Sequence, residues 1–440
     1  MSKKKNNSKS SAEQLSKRIS LFSLVFLISC AIFAYGLAVG NFKMWPFKTI
    51  ESMYSGALSL IRHGELVPVN RLIKAPKHVS RERVVTYQAD KVQPGYYAYM
   101  GYDGENLRYA AWLQNEKGEK IHEWDLSYLN FDEDGPLNGS DSPHAFSVLP
   151  DGSVIVTFDQ GDVMARVDQC SKPIWTKQGV YHHSLTKGLG NTMWAWRGDN
   201  TAYGHYNYLS QFDLDTGETL AEIGLVEDLI QSPATPAGIF SVRADYPFRK
   251  WDKTPGNKAK YDLFHPNDVD VLTPELADEF PMFKAGDLLI SFRRIHLVAV
   301  VDPLTYEIKW ARNGPWIYQH DPDFTADGKI SVYSNNSGLG RSEIIKIDPA
   351  TGELTNELLA GDFKFYSAAQ GKHQYLPNGN LLVIVPDEGR AVQITASGDK
   401  VFEHNNISAL SPLYNEHIAN GIWFEPNYFN EVPNCSKQSK

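Results

Sequence analysis

The sequence predicts an all-β fold, a six-bladed β-propeller preceded by one N-terminal transmembrane helix. Three observations predict it: an uncharged apolar run near the N-terminus, a body of short apolar runs punctuated by turn dipeptides, and a histidine-led unit that recurs along the body.

The apolar run comes first. Between Ile19 and Phe42 there is no charged residue, and ISLFSLVFLISCAIFAYGLAVG is long enough to cross a bilayer core as a helix. A cleaved signal peptide is the alternative, although its apolar core is usually shorter, about 7–15 residues. Lys3, Lys4, Lys5, Lys9, Lys17 and Arg18 precede the run against a single acid, Glu13, whereas only Lys43 and Lys48 follow it before Glu51. An excess of Lys and Arg stays on the cytoplasmic side. The expected organisation is therefore a basic cytoplasmic tail at 1–18, an inner-membrane helix at 19–42, a juxtamembrane spacer at 43–95 and a periplasmic propeller at 96–435. Within the spacer, TIESMYSGALSLIRHG is expected to form a short helix.

Net charge is −9 despite the basic tail, so the exported part is more acidic than the whole. That argues against nucleic acid as a partner and reads as solubility. Of three cysteines, Cys30 lies in the apolar run. Cys170 and Cys435 remain, as a bonded pair in an oxidising compartment or as two thiols, and spacing does not decide between them.

The body is rich in aromatics, 12% of residues, and such side chains favour pleated, half-buried surfaces. Its punctuation is periodic. HAFSVLPDGSVIVTF begins at His144, HSLTKGLGNTMWAW at His183, HDPDFTADGKISVYSNN at His320 and HQYLPNGNLLVIVPDEG at His373, each running 6 to 8 residues to Gly152, Gly190, Gly328 or Gly379 before an apolar strand. HPNDVDVL at His265 fits with an insertion before Gly286, and HIANGIWFEPNYF opens a last unit at His417. FDLDTGETL, VDPLTYEIKW and KIDPATGEL, around Asp213, Asp302 and Asp348, read as outer hairpins of such units.

Repeated strand–turn–strand units of about 40–50 residues are the mark of propeller blades. The last unit is too short for a whole blade, so the early hairpin YDGENLRYAAWLQNEKGEKIHEW, about residues 100–124, is expected to complete it and close the ring. A lone histidine at a strand end is ordinarily a packing residue. Six at equivalent places on channel-lining strands converge on one axis, which points to a site.

On these pieces the sequence resembles the bacterial arylsulfate sulfotransferases, periplasmic propeller enzymes. The likeness covers about residues 95–430 and rests on HPNDVDVL, on ISFRR ending at Arg294, on WIYQHDPDF with its trailing SNN, and on YHHSL. It implies transfer of a sulfuryl group from an aryl sulfate donor to a phenolic or glycan acceptor through a sulfohistidine, without a nucleotide sulfate donor, cofactor or metal. By resemblance His320 is the nucleophile. His265, Asn267 and Arg293 hold the sulfuryl oxygens, and His183 joins them or handles the acceptor's proton. His182, His373 and Asn335 are further candidates for substrate binding. Arg293 and Arg294 are read as neighbours on a strand, so that only one enters the channel.

The sequence departs from the family in two places. Ser184 follows the paired histidines where many relatives carry an acid, and the relatives' N-terminal β-domain, which assists assembly, is replaced by the anchor and spacer. The oligomeric state is left open. Asp321 and Asp323 read as a turn in preference to a metal site, and no zinc, phosphate-loop or EF-hand spacing is present. A non-catalytic propeller that scaffolds an envelope assembly or binds glycans is the alternative function. A metal-dependent hydrolase, which would gather carboxylates on the axis, ranks last.

Overall fold

The computed structural model describes residues 3–42, 45–46, 72–131, 142–158, 163–198, 208–241, 263–356, 363–409 and 411–435. The chain forms two units, Met1–Val69 and Asn70–Lys440. In the first, one helix spans Lys3–Phe42, and its segment Arg18–Val39 is apolar and long enough to cross a membrane, a property that a signal sequence shares. The stretch TIESMYSGALSLIRHG lies outside the described residues.

The second unit is a six-bladed propeller. The apolar runs become antiparallel strands, and the intervening Asp-Gly and Asn-Gly pairs become their turns. The second blade comprises Pro143–Val148, Val154–Phe158, Val163–Val167 and Pro173–Gln178, and the third Val180–Lys187, Thr192–Gly198, Tyr208–Asp213 and Thr219–Gly224. The fourth and fifth run from Pro266–Val271 to Ile308–Asn313 and from His320–Phe324 to Leu354–Asn356. The sixth holds Lys372–Tyr375, Leu381–Val385, Arg390–Ile394 and Lys400–Asn405. The first blade closes the ring. Tyr96–Asp103, Arg108–Asn115 and Lys120–Asp125 take the C-terminal Ile418–Phe424 as their innermost strand, so the early hairpin completes the last unit, as the repeat requires.

The second and third strands of a blade are covered on both sides by neighbouring blades. They therefore read as unbroken apolar runs, such as Leu288–Phe292 and Leu297–Val301, in which every residue is buried. The core lies between blades: Leu289, Val298 and Val300 of the fourth pack with Val332 and Ile345 of the fifth around Trp316. The recurring outer motif is explained by its aspartates. Asp213, Asp302 and Asp348 each accept backbone N–H groups two or three residues ahead, which folds the turn to the outer strand.

Two short strands lie within the segment read as a spacer. Leu72–Lys74 pairs with Tyr414–Glu416, and Val84–Thr86 adds a fifth strand to the sixth blade. Cys170 and Cys435 are disulfide-bonded, with Cα atoms 5.1 Å apart, tying the C-terminal segment to the second blade.

Candidate active site at the propeller hub

The innermost strands, adjacent to one another around the ring, share a local irregularity. In five of the six the pairing register shifts at the strand's start: at Pro143/Ala145, His182/Leu185, Pro266/Asp268, His320/Asp323 and Ile418/Asn420. A bulge re-aims the side chains that flank it. Left-handed backbone at non-glycine residues gathers at the same places, with φ of 61° at His183, 49° at His265, 51° at Asp321 and 58° at Gln370. Strain of this kind persists where surrounding structure over-determines it, and it clusters at working sites.

The result is one cavity lined by all six blades. His144, His183 and Ser184, Asn267 and Asp268, His320, Gln370 to Lys372, and Ala419 with Asn420 surround about 30 Å³. Imidazoles crowd against it. His183 Nδ1 and His144 Nε2 are hydrogen-bonded at 2.9 Å, His182 stacks on His144 at 3.9 Å, and the rings of His183 and His265 are centred 4.9 Å apart. His417 Nε2 lies 3.0 Å from Gln370 Oε1, and the amide nitrogen of Gln370 is 3.4 Å from His144 Nδ1.

His320 is buried. Its Nδ1 meets Asn335 Oδ1 at 2.6 Å, and its Nε2 accepts the backbone N–H of Gln370 at 3.3 Å. Burial, then the positive charge of Arg293, hold its pKa well below the ordinary imidazole value, and His265 and Lys372 act in the same direction. His183 is likewise held well below by burial and then by His182, His144, His265 and His320. Both rings are neutral at pH 7.

Arg293 departs from the reading that put it on a strand. The strand ends at Phe292, and Arg293–Ile295 form a 3-10 turn anchored by Arg293 N–H to the carbonyl of His265 at 3.0 Å. Alternation along a strand therefore does not choose between the two arginines. Arg293 stacks its guanidinium over Tyr318 at 4.8 Å and acts electrostatically on His320. Asn267 is buried, donates from Nδ2 to the carbonyl of Gln319 at 2.7 Å, and lines the cavity. Asn335 sits behind His320, bonded to it and to two carbonyls, and is not on the cavity wall.

His373 lies elsewhere. It bonds Asp321 and Ser331 and faces a cavity of about 1040 Å³ whose lining includes Arg166, Asp323, Tyr375 and Trp423. This larger space shares Ser184, Lys372 and Asn420 with the histidine hub. Between the two, Lys372 bridges Asp268 at 2.7 Å and Asp321 at 2.6 Å. Burial alone would lower the Lys372 pKa, but Asp268 and then Asp321 outweigh it and raise it, so the ammonium is retained. Burial would raise the Asp321 carboxyl, but Lys372 and His373 bring it down to about 2. Burial pushes Asp270 up to about 7 and Asp323 well above the usual carboxylate range.

Among the described residues, two groups have spacing that could suit a metal ion, His144/His182/His183 and Asp321/Asp323/His373. In each, some ligand atoms are engaged with protein partners: His144 with His183 and Gln370, and Asp321 with Lys372 and His373.

Hub residues outside the candidate set include His144, Asp268, Gln370 and Lys372. His144 carried a signal, since it opens a unit. Asp268 answers the departure at Ser184, whose hydroxyl donates to it, so a carboxylate stands beside the histidine pair although it comes from the fourth blade. Gln370 and Lys372 sit just before the histidine of their unit, where the repeat marks nothing.

Among solved structures, the chain is similar to a Bacteroides caccae protein of unknown function at 10% identity, covering 75% of this chain and 99% of that one with a TM-score of 0.46. It is also similar to a catalytically inactive virginiamycin B lyase from Staphylococcus aureus with quinupristin, at 13% identity over 76% and 87% of the two chains and a TM-score of 0.38. A third is apo AztD from Citrobacter koseri, at 9% identity over 75% and 98% and a TM-score of 0.37. A search of curated proteins found no match. The family model described as arylsulfotransferase (ASST) matches residues 145–407, more than half of the chain's 440 residues, including the third-to-fifth-blade segments that supply His183, His265, Arg293 and His320. The chain belongs to the arylsulfotransferase family.

Proposed function

We propose that the protein is a membrane-anchored arylsulfate sulfotransferase that works through a sulfohistidine at His320, with its propeller in the periplasm. The observation that carries the reading is the histidine-lined cavity at the hub, to which all six blades contribute and where a neutral, buried imidazole stands under the charge of Arg293. A neutral imidazole is a competent nucleophile, and covalent transfer divides one displacement into two.

In the first half-reaction the lone pair of His320 Nε2 attacks sulfur while the bond from sulfur to the aryl oxygen breaks, and phenolate leaves with the electron pair. In the second, the acceptor hydroxyl passes its proton to neutral His183 as its oxygen attacks sulfur. The N–S bond then breaks and returns the lone pair to His320, and the proton on His183 passes to solvent. Charge accumulates on the sulfuryl oxygens, so fixed donors are needed around them. The guanidinium fork of Arg293 is suited to that, together with His265 and the amide of Asn267.

The anchor and the location rest on the apolar helix segment Arg18–Val39, the basic residues before it, and the disulfide between Cys170 and Cys435, which belongs in an oxidising compartment. The acceptor is a phenol or an envelope glycan.

The full-length chain in detergent, given a chromogenic aryl sulfate and a phenol, is expected to release the chromophore with ping-pong kinetics. His320→Ala should lose at least ~10⁴-fold in kcat. An absence of turnover across many donors would overturn the reading in favour of a scaffold or glycan-binding propeller.

A further inference from the structure

The nucleophile proposed above has two ring nitrogens, and only one can attack. A neutral imidazole carries one N–H and one lone pair, and the hydrogen bond made by one nitrogen sets the state of the other. His320 Nδ1 faces Asn335 Oδ1 at 2.6 Å. An amide's oxygen and nitrogen can exchange places, so the direction of this bond depends on what holds Asn335. Its Nδ2 faces the carbonyls of Ser367 at 2.9 Å and Gln370 at 2.7 Å. Two carbonyl oxygens accept and cannot donate, so the NH₂ group belongs on that side and the oxygen faces His320. An amide oxygen only accepts, and therefore Nδ1 carries the proton.

The opposite nitrogen is consistent with this. Nε2 is approached by a donor, the backbone N–H of Gln370 at 3.3 Å, which needs a lone pair there. Gln370 holds a left-handed backbone, φ 58°, that a non-glycine residue adopts only when held. Its carbonyl is bonded to Asn335, and its side chain spans His417 and His144. One amide thus fixes the proton on the nucleophile and the peptide that faces the attacking atom. Asn335 has no exposed surface and is not on the cavity wall, so it meets no substrate.

We propose that Asn335 is the positioning residue of the sulfuryl-transfer site: it locks His320 in the Nδ1–H tautomer, so that Nε2 keeps its lone pair, which accepts the Gln370 N–H at rest and gives up that bond to attack sulfur. After attack Nε2 is bonded to sulfur, and the same N–H is within reach of a sulfuryl oxygen. The proposal rests on His320 being the nucleophile.

The test is a solid-state ¹⁵N spectrum of the full-length chain labelled at histidine, with the His320 signals identified by their loss in His320→Gln. The wild type is expected to show a protonated Nδ1 and a bare Nε2, and no further variant is needed for that result. A proton found on Nε2 would overturn the proposal. Asn335→Leu is expected to lose the single tautomer and to reduce kcat by about 10²- to 10⁴-fold with little change in KM. Asn335→Asp keeps an acceptor for Nδ1–H and adds a negative charge, which favours the imidazolium. It is expected to retain the tautomer, to recover part of kcat, and to move the acid limb of the pH profile upward. Unchanged kcat in Asn335→Leu would refute the assignment. If His320→Ala retained transfer, the nucleophile reading would fail while the spectrum still decided the tautomer.

Discussion

The charge state of the hub is set by burial. His320 and His183 are both held well below the ordinary imidazole pKa, by desolvation first and then by neighbouring positive or protonatable groups. For a base the sign is direct: a lowered pKa means that the neutral, nucleophilic form persists to lower pH. The profile of kcat/KM against pH should therefore stay level through pH 6.5, the ordinary imidazole value, and fall only in more acid solution. A loss centred at or above that value would mean that the reacting imidazole is solvated, contrary to its burial. The sequence made hub histidines legible because they recur in register with turn glycines, although the same recurrence marked His373, which faces the larger cavity. It did not show the contacts that decide protonation. The Gln370 peptide acts through its backbone, and Asp268 and Lys372 bond across blades, so neither feature leaves a local pattern.

At the scale of the strand, the fold was legible where turn chemistry repeats. Asp213, Asp302 and Asp348 mark the outer turns, and glycines mark the inner ones. Leu72–Lys74 and Val84–Thr86 were not, because three residues carry no period and each strand exists only by pairing with a distant partner. Arg293 was misread for a related reason. ISFRR continues as a strand by composition, yet its last residues turn where the backbone of Arg293 and Arg294 bonds the carbonyls of His265 and Phe264. Ring closure brings backbones into close approach at glycines of the seam, Gly101 among them. Gly101 pairs with Ile418, and a Cβ at Gly101 would stand 2.2 Å from the carbonyl oxygen of His417. Only backbone movement relieves such a clash. Gly101→Ala should lower stability by about 1–3 kcal/mol, measured as a shift of the urea midpoint at constant slope. An unchanged midpoint would show that the seam yields without cost.

Over the whole molecule, the ring turns a one-dimensional repeat into a convergent site. Each blade contributes at the start of its inner strand, and the bulges there aim the side chains at the axis. The geometry also explains why the hub tolerates so many polar groups. Lys372 between Asp268 and Asp321 satisfies charges that would be costly alone. The closing strand and the disulfide hold the C-terminal segment against the first and second blades, so His417 keeps its place beside Gln370. The claim on which the rest depends is covalent. Full-length protein mixed with an aryl sulfate in the absence of acceptor, quenched under alkaline conditions and digested, should yield the peptide containing His320 heavier by one SO₃ group. Added phenol should discharge it before the quench. Turnover without that adduct, or the adduct on another residue, would contradict the account.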